Sequence, residues 1–177
     1  KRLAPYPEDH VLDVRSIEEE IEMYRNVKIE EIRKLHEEFL GNQAGELSAV
    51  GDFDPDELKA LVASMLADWE TDNPYVRVGR DPHPEIPGSV DFIDTPDMEI
   101  AVYRASQQYR LSDEDPEFAY LEIGNYILGS GSLSSRLGNR VRQQEGLSYG
   151  IASYTIPRAK DERVDFVVAA ITNPNKK

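Results

Sequence analysis

Residues 134–154 read SSRLGNRVRQQEGLSYGIASY, and a change of period inside them decides the kind of domain this is. Up to Gln144 the apolar residues follow helical spacing, with Leu133, Leu137 and Val141 at i, i+4 and i+8. Gly146 then offers the left-handed conformation that ends a helix, and Leu147 the apolar contact that accompanies such a stop. From Tyr149 the side chains alternate at strand period: Tyr149, Ile151, Ser153 and Thr155 take one face, Gly150, Ala152, Tyr154 and Ile156 the other. Arg142 follows Val141 by about 100° around the helix axis, at the edge of the buried stripe. A tight glycine turn brings Arg142 and Tyr149 toward one volume. A guanidinium and a phenol both donate hydrogen bonds and neither is a useful base at neutral pH. Such a pair suits gripping peptide carbonyls or stabilising an oxyanion. The plainer alternative pairs Arg142 with Glu145 and leaves Tyr149 to pack.

Working outward, SDEDPEFAYLEIGNYILG (112–129) predicts a helix that opens at Asp115–Pro116 and stops at Gly129. LSYGIASYTI (147–156) and RVDFVVAAI (163–171) predict a strand pair across the charged turn RAKDE. Upstream, ELSAVGDF (46–53), SVDFID (89–94) and EIAVYRASQQY (99–109) also read as strands, the last two joined by TPDM. DPDELKALVASMLADW (54–69) is a helix with Asp54 as N-cap and Pro55 at its first position. Two further helices open the chain. The first starts at a Ser16/Glu19 capping box; the second carries Ile29, Ile32, Leu35 and Phe39 and stops at Gly41.

The order ααβαββααββ implies an α+β, or layered α/β, domain: a largely antiparallel sheet with helices packed on one face. Residues 1–15 read as a linker from a preceding domain, 16–44 as a helical pair leading in, and 45–177 as the α/β domain. The ends, KRLAPYPEDH and NPNKK, read as cuts in a longer protein.

Composition narrows the function. Twenty Lys and Arg against 34 Asp and Glu give a net charge of −14 over 177 residues, which repels a nucleic-acid backbone. No apolar run approaches the roughly 20 residues that span a bilayer. Cysteine is absent, which excludes disulfides and thiolate metal sites. HEEFL at 36–40 starts like a zinc-protease HExxH, but Leu40 stands where the second imidazole would be. Ser130, Ser132, Ser134 and Ser135 cluster without a nucleophile elbow or a nearby histidine, so no hydrolase triad is expected. LGSGSLSSRLG (128–138) has the look of an anion cradle ahead of a helix, yet lacks both the P-loop ending and the G-x-G-x-x-G fingerprint.

At this point the stretch resembles a known signature. Ser135, Arg136 and Leu137, followed by Arg142, Gly146, Leu147 and Tyr149, match the S-R-L then R-x-x-x-G-L-x-Y pattern of the pitrilysin/insulinase family of zinc metallopeptidases, in the domain that lacks the zinc motif. AVGDFDPDELKALV (49–62) and TPDMEIAVY (95–103) are similar to the family's strand-to-helix segment and following hairpin, and the likeness spans residues 16–171. Mitochondrial processing peptidase subunits belong to the same family. The resemblance implies a metallohydrolase-like fold of the processing-peptidase type, forming the C-terminal region of a bacterial enzyme of periplasm or cytoplasm. It implies a zinc-bearing N-terminal half or partner subunit carrying H-x-x-E-H, with a peptide substrate enclosed between the halves. Arg142 and Tyr149 take the family's substrate-holding positions, and Gly129, Gly131 and Ser132 fall where some subunits carry a longer glycine-rich substrate loop. This chain has no H-x-x-E-H, so the resemblance implies neither zinc in it nor cleavage by it alone. A non-proteolytic scaffold subunit of the same fold, or an anion-binding module, are the alternative readings.

Overall fold

The computed structural model describes residues 2–131 and 134–174. The chain folds as two compact units, one of Lys1–Val14 with Gly79–Lys177 and one of Arg15–Val78.

In the second unit, α1 (Ile17–Asn26), α2 (Ile29–Phe39) and α3 (Pro55–Leu66) start where the capping residues predict. The Ser16 hydroxyl accepts from the Glu19 N–H at 3.2 Å while the Glu19 carboxylate accepts from the Ser16 N–H at 2.7 Å. Asp54 accepts from Asp56 and Glu57 N–H groups at 2.8 and 3.1 Å, satisfying donors the helix itself leaves unpaired. The end of α2 is held by side chains rather than by a glycine. Thr71 and Asn73 both donate to the Glu38 carbonyl, and Leu40 closes the helix in an extended conformation before Gly41 is reached. His36 stacks on Trp69 at 5.9 Å, and the Asn42 N–H donates to the Trp69 carbonyl at 2.8 Å. None of the three helices buries a residue; the stripes through Ile17, Ile29, Leu35, Phe39 and Met65 are exposed.

The first unit is built on a three-stranded antiparallel sheet of β1 (Ala101–Tyr109), β2 (Ser148–Pro157) and β3 (Val164–Thr172), in the order β1-β3-β2. The β2–β3 hairpin closes with the Arg158 N–H donating to the Arg163 carbonyl at 3.0 Å. Val164, Val167 and Ala170 of the central strand form the apolar core. Helix α4 (Pro116–Asn125) runs into a π-helical turn, Tyr126–Ser130, and a second π-helical segment spans Gly138–Gln144. All three pack against β2. Buried Ser153 of β2 donates to Asn125 at 2.5 Å, and its neighbour Thr155 bonds Glu122. This is the α+β arrangement of helices on an antiparallel sheet that the pattern predicts.

On the opposite face β1 is buried only at its Gln108 end, and there it meets the N-terminal segment. Gln108, only 2% exposed, donates to the Leu3 carbonyl and accepts from the His83 N–H, both at 2.8 Å. A buried amide with both ends satisfied ties Leu3 and His83 to β1. Tyr6 stacks on His10 at 4.8 Å and meets His83 edge-on at 6.2 Å. Lower on this face Asp165 takes two bonds from Arg163, at 3.1 and 2.8 Å, and one from Arg158 at 3.3 Å.

Three local expectations fail. Residues 46–53 and 89–94 form no strand, and Val50, Val90, Phe92 and Ile93 are 79–100% exposed. Alternating apolar residues give a segment strand period, but a strand also needs a hydrogen-bonded neighbour, and the pattern does not name one. Asp115 stands at the N-cap of α4 and Pro116 opens it, as the pattern predicts, but the carboxylate makes no capping bond: it accepts from the Ser112 N–H at 2.6 Å, closing the turn before the helix. The last helix departs too, since Gly138–Gln144 is π-helical, wider than the 3.6-residue period assumed for it.

Candidate substrate-binding hollow

The junction read first in the sequence lies at one end of the sheet. Gly146 has φ +60, the left-handed conformation expected of a helix stop, and the Leu147 N–H reaches back to the Val141 carbonyl at 2.9 Å. Two bonds then fasten the entry of β2 to the exit of β3: the Ser148 hydroxyl donates to the Ile171 carbonyl at 2.6 Å, and the Thr172 hydroxyl donates to the Leu147 carbonyl. The ladder slips between Ser148 and Gly150, which pair with Thr172 and Ile171 in turn. Tyr149 is therefore the extra residue of a β-bulge, a device that re-aims a side chain. It is 90% exposed.

Beside this bulge is an open hollow of about 390 Å³, lined by Tyr149 and Gly146 from the junction, Ile171 and Thr172 from β3, and Glu99 and Ile100 just before β1. Sequence reasoning missed the last four. No local signal marks them, because only the register that sets Ala101 opposite Thr172 brings the two ends together. Arg142 is half-buried on Gly138–Gln144 and is not a lining residue. Glu145 pairs with Arg140 at 2.8 Å, so the alternative built on Glu145 involves a different arginine from the one expected.

Gly129 and Gly131 are both buried. A Cβ at Gly129 would lie 2.7 Å from the Ser153 nitrogen and 2.8 Å from Leu137, and one at Gly131 would lie 2.8 Å from the Tyr126 carbonyl. Close backbone packing thus demands glycine at both. Ser132, the remaining member of the expected loop, lies outside the described residues.

The three histidines do not make a zinc centre. His10 accepts from the Leu12 N–H through Nδ1 at 3.1 Å, His83 is bound through Nδ1 to Glu85 at 3.1 Å, and His36 is stacked on Trp69. Among the described residues no three potential His, Asp or Glu ligands converge, and no helix is long and apolar enough to cross a membrane.

Helices on an antiparallel sheet, with a glycine-hinged helix–strand junction at its end, define the class of domain, and comparison with known proteins identifies it. Residues 26–177 match the model of the peptidase M16 inactive domain. The chain belongs to that family. A peptidase M16 inactive domain from Pseudomonas fluorescens is similar over 84% of this chain and 34% of its own, at 24% identity and a TM-score of 0.66. A protease from Helicobacter pylori is similar over 89% of this chain and 37% of its own, at 14% identity and a TM-score of 0.70. At those identities the likeness is one of fold, and this chain spans about a third of either structure's length. No curated protein matches the sequence.

Proposed function

We propose that this domain works as the non-catalytic part of a zinc-dependent metalloendopeptidase. It shapes the chamber in which an extended peptide lies and helps hold that peptide through Arg142 and Tyr149. The zinc-bearing N-terminal half, or a partner subunit, is the expected companion. The observation that carries the reading is the bulge at Tyr149. A phenol that is 90% exposed, on a strand locked by the Ser148 and Thr172 bonds, lines an open hollow of about 390 Å³. Gly146 joins that strand directly to the segment carrying Arg142, so a shift at either end of the hinge is felt at the other.

In this reading the Tyr149 hydroxyl donates to a peptide carbonyl, and the Arg142 guanidinium supplies further donors to the same backbone. Neither moves a proton; they fix the peptide's position, which is how remote contacts serve a reaction. Gly129, Gly131 and Ser132 join the proposal as a second contact along the peptide; Gly129 lies close against Ser153 and Gly131 against Tyr126. The test is peptide turnover by the full-length protein after Arg142→Ala or Tyr149→Phe, with zinc content measured alongside. Lowered turnover at normal zinc content supports the substrate grip, and unchanged turnover rejects it.

A further inference from the structure

We infer that the hollow beside Tyr149 is a subsite for a cationic side chain, lysine or arginine, of the bound peptide. The inference rests on the substrate-holding reading above and names the chemistry that site selects. Among the described residues, Glu99 is the only charged one lining the hollow. Its neighbours' hydroxyls are spent internally, Ser148 on the Ile171 carbonyl and Thr172 on the Leu147 carbonyl. The Glu99 carboxylate, by contrast, makes no hydrogen bond or ion pair among the described residues. Ile100 and Ile171, half-exposed at 49 and 54%, offer apolar walls. The exposed Tyr149 ring offers a π face, which attracts a cation electrostatically.

Those parts fit one kind of occupant. A lysine or arginine presents an aliphatic stem that lies along apolar surface and a charged head that seeks a carboxylate. A purely apolar side chain would cover Glu99 without a partner, and an acidic one would meet it charge to charge. The whole sequence carries −14, so the wider field favours the same sign of ligand.

The experiment uses the full-length protein and a short internally quenched peptide of alanine, glycine and serine. One lysine is walked along it, against a matching series with norleucine, which keeps the stem and drops the charge. At one register lysine is expected to raise kcat/KM about tenfold over norleucine, the size of an exposed ion pair plus a cation–π contact. Glu99→Gln is expected to bring that ratio close to one, and Glu99→Lys to reverse it. A lysine preference that survives Glu99→Gln, or no preference at any register, overturns the inference. The two readings separate cleanly. If Tyr149→Phe and Arg142→Ala depress both series while Glu99→Gln spares the ratio, the grip stands and the cation subsite falls. If those two variants leave both series untouched while Glu99→Gln abolishes the ratio, the subsite stands and the grip falls.

Discussion

The Leu147 N–H bonds the Val141 carbonyl at 2.9 Å, spanning Gly146 at φ +60. This contact turns the chain from helix to strand and so sets where Tyr149 emerges. Among the described residues nothing lies within 4 Å of where a Gly146 Cβ would sit, so the cost expected of a side chain there is the backbone's. Gly146→Ala is expected to destabilise the protein by about 1 kcal/mol, and Gly146→Asn by less, because asparagine tolerates the left-handed region. Urea denaturation midpoints of the three proteins check the order.

Gly129 presents the opposite case, with ordinary backbone and no room. Its added methyl would press on the Ser153 backbone nitrogen and on Leu137, costing about 1–3 kcal/mol by overpacking. Because one of the clashing atoms is backbone, trimming the partner with Ser153→Gly is expected to leave most of that loss in place. The double variant's denaturation midpoint, compared with each single change, decides this.

Glu85 carries a pH signature. A bond to its own backbone N–H, and secondly the bond from His83, hold its carboxyl below the ordinary value of 4.5. The folded form therefore binds this proton less readily than the unfolded chain. Its stabilising effect is complete above about pH 4.5 and is lost as pH falls through the lower folded value. The stability difference between wild type and Glu85→Gln is expected to shrink on acidification below that point, and unfolding curves collected from neutral to acid pH check it. A difference that grows instead would show the sign to be wrong.

For the proposed grip, Tyr149→Phe removes one hydrogen bond to a peptide carbonyl. It is expected to cost about tenfold in kcat/KM in the full-length enzyme, the worth of one net hydrogen bond. Arg142→Lys keeps the charge but loses the planar fork, and is expected to recover only part of what Arg142→Ala loses. Steady-state kinetics on one peptide, with zinc content verified for each variant, provide the measurement.

How much of this was legible in the sequence follows from how local each cause is. Ser16 with Glu19, Asp54 with Pro55, and Gly146 act within a single turn, and each does in the structure what its residue type predicts. The hollow could not be read. Glu99 and Ile171 are far apart in the chain, and their meeting depends on strand order and register, which alternation does not encode. The bulge at Tyr149 was equally hidden, since a one-residue slip in pairing leaves no mark on the apolar pattern. Asp115 misled only in its capping bond, for a subtler reason: a carboxylate before a helix can close the preceding turn as readily as cap the following one, and Ser112 took it.

The apolar stripes left open along α1 and α2 set how this protein behaves in a tube. Apolar surface of that kind favours association of copies of the chain, and a charge of −14 opposes it by mutual repulsion. Concentrated brine, or acidification toward the isoelectric point near 4.6, strips that protection away. Purification is then best kept dilute, cold-buffered and well on the alkaline side, where like-charged molecules hold one another at arm's length.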